Sequence, residues 1–302
     1  MKVLLLSLVA AASAFDGTEY SEADTRRLTL HSFNSYCGGS SLAGWSSSYA
    51  RQPELIDFIF MDEVKDRVQD TFGYVGFQPS TQDVVVSFRG SANIANWLNN
   101  LDYKRTSWDR AEGQVHKGFL RGYSSSLDKQ VRKLVELALK RFEAKRVTFT
   151  GHSLGGALAT LAAVDIGQDL KTRGVSVDLV TFGSPRVGDE TFVKFGVQSV
   201  TDVSFRIVNR RDAVPAVPSR SWGFAHVPQE VWYRKKKDYV LCDDAVKEDK
   251  NCSRGGLQTS FSHHSYYVGV HSGRCSGSVS DLSDIVEDAP LAEWYVGHPA
   301  SD

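Results

Sequence analysis

The chain has 302 residues, of which 41% are hydrophobic and 24% charged, and its formal net charge is −1. That is ordinary globular composition, and the length suffices to bury one large core. A near-zero charge leaves no overall field to attract nucleic acid, which is not expected as a partner.

At the start, Lys2 precedes the apolar run Val3 to Ala10, and Ala12-Ser13-Ala14 follows. A basic start, a short apolar stretch and a small-residue cleavage site form a secretory signal peptide. The run is far short of the roughly 20 apolar residues that a bilayer span needs. The sequence thus predicts a leader over residues 1–14 and one extracellular domain over 15–302, with no integral membrane segment. Four cysteines in an exported chain predict two disulfides. Cys242 and Cys252 flank a polar loop and suit a local bridge, which leaves Cys37 to clamp the start of the domain to Cys275 near its end. No Cys/His spacing resembles a zinc site, so neither a metal nor another cofactor is expected. Asn251-Cys252-Ser253 is formally a glycosylation sequon, but a bridged cysteine at its centre argues against modification.

Thr71 to Phe77 and Asp83 to Phe88 are strand-like and are joined by the turn-forming Gln78-Pro79-Ser80-Thr81, a hairpin pattern. Between Leu127 and Phe142 the apolar residues Leu127, Val131, Leu134, Val135, Ala138 and Phe142 keep the helical period. A short strand, Arg146 to Thr150, then runs into Gly151-His-Ser-Leu-Gly-Gly156, followed by an Ala- and Leu-rich helix from Ala157 to Leu170. The pattern continues as strand Val175 to Phe182, helix Glu190 to Val200 and strand Val203 to Val208. Such alternation implies a parallel sheet with crossover helices. Val231 to Arg234 and Tyr239 to Cys242 read as a later antiparallel pair, with the basic run Arg234 to Lys237 as a solvated turn between them. An attraction to anionic interfaces is the sharper alternative for that run. Nothing divides the chain into further domains.

G-x-S-x-G by itself is a weak signal, but here a strand precedes it and a helix follows. A serine at such a sharp turn is forced off the sheet, and only small neighbours such as Gly151 and Gly155 allow strand and helix to approach. Ser153 is therefore the candidate nucleophile. Its hydroxyl needs a base, and the base needs an acid to fix its tautomer. In this type of fold the acid follows the serine and the histidine follows the acid. Asp212 lies after the next-but-one strand, where the sheet edge should place it, whereas Asp178 enters a strand and Asp189 reads as a helix cap. Of the later histidines, His263 and His264 are adjacent and the pattern does not separate them.

Five segments resemble the class 3 lipase family, the group of filamentous-fungal lipases and feruloyl esterases with the α/β-hydrolase fold. They are Ser87-Phe-Arg-Gly-Ser91, Val115-His-Lys-Gly-Phe119, Thr150 to Gly156, Thr181-Phe-Gly-Ser-Pro-Arg186 and Asn209-Arg-Arg-Asp-Ala-Val-Pro215. They keep the family order over about Thr25 to Cys275; residues beyond 275 match nothing in the pattern. The resemblance implies a central, mostly parallel sheet flanked by helices. The family histidine opens a pattern of His, two residues, Tyr and then Phe or Tyr, and His263-His264-Ser265-Tyr266-Tyr267 fits with His263 in the lead. The resemblance also implies an oxyanion hole at Ser91 and Leu154.

Family lipases carry a short lid after the oxyanion segment. In Asn93 to Leu101, Ile94, Trp97, Leu98 and Leu101 fall at i, i+3, i+4 and i+7, one apolar helical face for a lid or substrate contact. These features predict a serine ester hydrolase, foremost a triacylglycerol lipase that meets its lipid ester at a lipid–water interface. The alternatives are a feruloyl-type esterase, which the cysteine pairing and Gly269 to Cys275 resemble, and a phospholipase A1. A non-catalytic lipid-binding module would lack a triad member, and none is missing.

Overall fold

The computed structural model describes residues 19–243, 248–255 and 259–276. The expected leader and the segment beyond 276 lie outside the described residues. Strands β1 (Ile59–Asp66), β2 (Thr71–Gln78) and β3 (Asp83–Phe88) open an eight-stranded sheet. A separate antiparallel pair follows, β4 (Arg105–Trp108) with β5 (Ala111–His116). The large sheet continues with β6 (Arg146–His152), β7 (Ser176–Phe182), β8 (Val203–Asn209), β9 (Glu230–Lys235) and β10 (Asp238–Leu241). Its spatial order is β1-β2-β3-β6-β7-β8-β9-β10. Strands β3, β6, β7, β8 and β9 run parallel, while β1, β2 and β10 extend the two edges antiparallel. This is the mostly parallel, helix-flanked sheet of an α/β-hydrolase.

Side-chain alternation along each strand sends two sets of residues to two cores. Val147, Phe149, Val177 and Leu179 face the larger core, under helices Lys117–Ser124, Leu127–Phe142 and Leu154–Thr172. Val180, Phe182, Phe205 and Ile207 face a second core with Leu28, Leu30 and Phe33 of helix Glu22–Asn34. In Leu127–Phe142 the apolar period is realised as read, with Leu127, Val131, Val135 and Ala138 buried and Phe142 stacked on Phe77 at 4.4 Å. The helical segment read over Glu190 to Val200 is present, with a π-helical turn over Phe192–Val197 that runs into one short α turn, Gln198–Val200. The structure pairs Cys37 with Cys275 and Cys242 with Cys252. The basic run forms the exposed turn between β9 and β10, where Arg234 pairs with Asp238 at 2.6 Å.

On the second face, at the strand ends remote from Ser153, charged groups are buried together. Arg27 reaches Asp83 at 3.4 Å and Asp24 at 3.6 Å, and Arg146 reaches Asp178 at 3.4 Å. Burial pushes the Asp178 carboxyl up to about 7; Arg146 opposes the rise, and the charges of Asp83 and Asp202 add to it. The folded state therefore holds a proton on Asp178 at pH values where the unfolded chain has released it. Stability from this group is fully present below the unfolded carboxylate pKa, near 4, and is lost as pH rises through about 7. Replacing Asp178 with Asn removes the titration. The melting temperature of Asp178→Asn relative to wild type should climb between pH 4 and pH 8 by about a few degrees. A difference that stays flat over that range would contradict the assignment.

Candidate active site

Strand β6 ends at His152 and helix Leu154–Thr172 begins with only Ser153 between them, so the chain reverses at Ser153 with φ 60° and ψ −128°. An L-residue in that region is strained, and it persists only where surrounding contacts over-determine it. Those contacts are backbone on backbone. A methyl at Gly151 would lie 2.3 Å from the carbonyl oxygen of Gly155, and one at Gly155 would lie 2.2 Å from that of Phe88. The end of β3 is thereby pressed against the first turn of the helix, which brings Gly90 alongside the nucleophile: a Cβ there would lie 2.9 Å from Ser153 Cβ. Ser153 N–H donates to the Phe182 carbonyl at 2.9 Å, tying the turn to β7 as well.

Asp212 follows β8 and is buried. One carboxylate oxygen accepts from the Val214 N–H at 2.9 Å; the other accepts from His264 Nδ1 at 2.7 Å and from the Tyr267 hydroxyl. Burial, and then the Asp212 charge, raise Tyr267 well above the usual phenol range, so it keeps the proton it donates. A carboxylate can only accept, so Nδ1 of His264 carries its ring proton and Nε2 is the bare nitrogen. Nε2 of His264 and Oγ of Ser153 are both buried, and neither has a hydrogen-bond partner among the described residues. They are the two atoms that a nucleophile–base pair requires to be available for each other.

The structure corrects the histidine. His263 turns away from Asp212: its Nδ1 accepts from the Arg211 backbone N–H at 3.3 Å, and its ring is only half buried. Burial, then Arg210 and Arg211, depress its pKa. The doublets His263-His264 and Tyr266-Tyr267 let the same spacing fit in two registers. The deciding contact is the tyrosine that reaches Asp212, and that is Tyr267, three residues after His264.

A class 3 lipase family model matches residues 85–222. Over 258 residues, which are 82% of this chain and 69% of the relative, the chain is 33% identical to a lipase of Rhizomucor miehei. The chain belongs to the class 3 lipase family. A secreted mono- and diacylglycerol lipase of Fusarium solani is 36% identical over 57% of this chain and 51% of its own length. Among solved structures, a triacylglycerol lipase whose catalytic centre is described as a serine protease triad superposes with a TM-score of 0.74. It is 30% identical and covers 85% of this chain and 98% of its own.

Other residues expected on this class 3 lipase site are placed as follows. Ser91 lies half buried just past β3, and Leu154 is the first residue of its helix. Its N–H has no acceptor within the helix. The apolar segment forms helix Ile94–Asn99, capped at its start by Asn93, whose side chain accepts from Asn96 N–H. Trp97 stacks on Phe119 at 5.9 Å, and Trp97 and Leu101 pack against the main core. Ile94 and Leu98 are half buried. Leu101 falls beyond the C-cap Asn100, so the helical stripe is shorter than its sequence spacing implied. Asp189 is a cap, accepting from Phe192 N–H at 2.9 Å.

Three residues escaped the sequence reading of the site. Gly183 has φ 55°, and a Cβ there would lie 2.7 Å from Asp212 Oδ2 and 2.9 Å from His264 Cε1. Any side chain would displace the acid and the imidazole from each other. Tyr267 is the second. Arg186 is the third: buried, it donates to the carbonyls of Ala216 and Pro218 and forms a two-bonded pair with Glu248, so it fixes the loop that follows Asp212. Both Gly183 and Arg186 stand in the Thr181 to Arg186 motif, which was the available signal. His264→Ala should lower kcat on a soluble ester by about 10⁴-fold or more, and His263→Ala by less than about threefold. The reverse order of losses would contradict the geometry.

Proposed function

We propose that this chain is a secreted lipase that hydrolyses long-chain acylglycerols, triacylglycerols foremost, at a lipid–water interface through an acyl-enzyme on Ser153. The observation that carries this reading is the Asp212–His264 bond, which leaves Nε2 bare beside the strained serine turn. In the first step His264 Nε2 takes the Ser153 proton as Oγ attacks the ester carbonyl. The carbonyl oxygen becomes an oxyanion, received by the N–H groups of Ser91 and Leu154, the latter at a helix N-terminus where the dipole also favours negative charge. Collapse breaks the bond to the alkoxide, and His264 returns the proton to the leaving alcohol. Water, deprotonated by His264, then attacks the acyl carbonyl, and His264 returns that proton to Ser153 Oγ as the fatty acid leaves.

The lipid preference is supported by helix Ile94–Asn99. Ser153 is fully buried beneath the folded site, and Trp97 and Leu101 hold the segment after Ser91 on the core. Exposing those side chains to water costs about 25 cal/mol per Å², several kcal/mol for the set, whereas a lipid surface would take up the same apolar area. Export is supported by the signal-type start, by two disulfides and by relatives named as secreted.

Two measurements test the reading. Ser153→Ala should fold as wild type yet lose ester hydrolysis by about 10⁴-fold or more. Wild type should turn over a long-chain triglyceride emulsion faster than methyl ferulate, with a rate that rises once substrate exceeds its solubility. Faster turnover of methyl ferulate, without gain at an interface, would favour the feruloyl esterase alternative. Release of the first acyl chain from phosphatidylcholine in preference to triglyceride would favour phospholipase A1.

A further inference from the structure

His152 precedes the nucleophile and is buried, with 2% of its surface exposed. Its Nε2 lies 2.7 Å from the carbonyl oxygen of His264, and its Nδ1 lies 2.8 Å from the hydroxyl of Tyr36. A carbonyl can only accept, so Nε2 carries the proton; Nδ1 is then bare and receives the Tyr36 O–H. The same Tyr36 oxygen packs against Gly90, one residue before Ser91: a Cβ there would lie 2.2 Å from it. The bonds run in one direction, from Tyr36 O–H to His152 Nδ1 and from His152 Nε2–H to the His264 carbonyl.

Nothing in this chain of bonds titrates near neutral pH. Burial, and next the His264 ring whose centroid is 4.2 Å away, push His152 well below the ordinary imidazole range. Burial also pushes the Tyr36 phenol up. One tautomer and one bond direction therefore hold while the neighbouring base gains and loses its proton. The anchor beneath is firm as well. Phe33 meets the His152 ring edge-on at 5.1 Å, and Cys37, next to Tyr36, is bridged to Cys275.

We propose that His152 and Tyr36 are positioning residues that set the separation between the oxyanion side of the site, at Gly90–Ser91, and the imidazole of His264. The inference rests on the reading of Ser153, His264 and Ser91 given above. Asp212 holds only Nδ1 of His264, and the ring can pivot about that single bond. The carbonyl bond from His152 fixes the other end of the residue, and the facing rings limit the pivot. Because the Tyr36 oxygen also packs against Gly90, both sides of the reacting carbonyl are referred to the same two side chains. Reacting groups need to be within about 3–3.5 Å, and a shift of about 1 Å costs on the order of a hundredfold.

The test measures kcat and KM on a soluble short-chain nitrophenyl ester, per active site titrated with a fluorophosphonate, for Y36F, H152Q and H152F. Y36F removes one oxygen. It should lower kcat about tenfold with KM within about twofold and a melting temperature close to wild type. Gln at 152 offers both an amide donor for the His264 carbonyl and an amide oxygen for Tyr36, whereas Phe offers neither. H152Q should thus keep kcat within about tenfold of wild type, and H152F should fall about a hundredfold. Wild-type kcat in Y36F, or equal losses in H152Q and H152F, would overturn the proposal, and Y36F decides it even where a His152 variant does not fold. Wild-type protein that neither labels nor turns over would instead overturn the functional reading, and this proposal with it.

Discussion

The backbone at Ser153 is held in a conformation that an isolated L-residue avoids, and the surrounding architecture is what keeps it there. Gly151 and Gly155 let the strand end and the helix start touch, and Gly155 also lets the end of β3 lie against the helix. From that one contact follow the lift of Ser153 off the sheet edge, the helix N-terminus beside it and the packing of Gly90 against Ser153. The parallel order β3-β6-β7-β8 matters for the same reason. It puts the ends of these strands on one edge, so loops from distant parts of the sequence meet there.

Polarity is distributed in two buried groups at opposite ends of the sheet. At one end Asp212 is satisfied by Val214, His264 and Tyr267, and the atoms left without partners are Ser153 Oγ and His264 Nε2. A buried polar atom without a hydrogen-bond partner is costly, and these two stand where a nucleophile and a base are needed. At the other end, Arg27, Asp83, Arg146 and Asp178 tie helix Glu22–Asn34 to the strand starts. The first group surrounds the nucleophile; the second ties a helix to the sheet.

Much of this was legible in the sequence because the site is built from local, motif-sized constraints. The strand, turn and helix around Ser153, the loop carrying Asp212 and the hairpin of β2 and β3 all follow from periodicity and small-residue spacing. The histidine was misplaced: the pattern's final aromatic favoured His263, since the His264 register puts Val268 there, and only the contact of Tyr267 with Asp212 marks the ring that pairs with the acid. Helix Glu22–Asn34 carries no apolar stripe, because Thr25, Thr29, His31 and Ser32 are buried alongside Leu28 and Leu30. Strand β1 is a half-exposed edge of mixed polarity and gives no clean alternation. The Thr181 to Arg186 motif marks Gly183 but not its role, which depends on which side chains converge from β8 and the His264 turn. The same holds for Tyr36, which meets His152 across 116 positions of sequence.

The central claim is that Ser153, His264 and the N–H groups of Ser91 and Leu154 surround a single point where an ester carbonyl is attacked. A crystal structure of the protein inactivated by an alkyl phosphonate tests it most directly, because the tetrahedral phosphorus imitates the attacked carbon. The account predicts a bond from Ser153 Oγ to phosphorus, the phosphonyl oxygen within about 3 Å of the Ser91 and Leu154 nitrogens, and His264 Nε2 at hydrogen-bond distance from Oγ. Phosphorus on another residue, or a phosphonyl oxygen directed away from those two nitrogens, would contradict it.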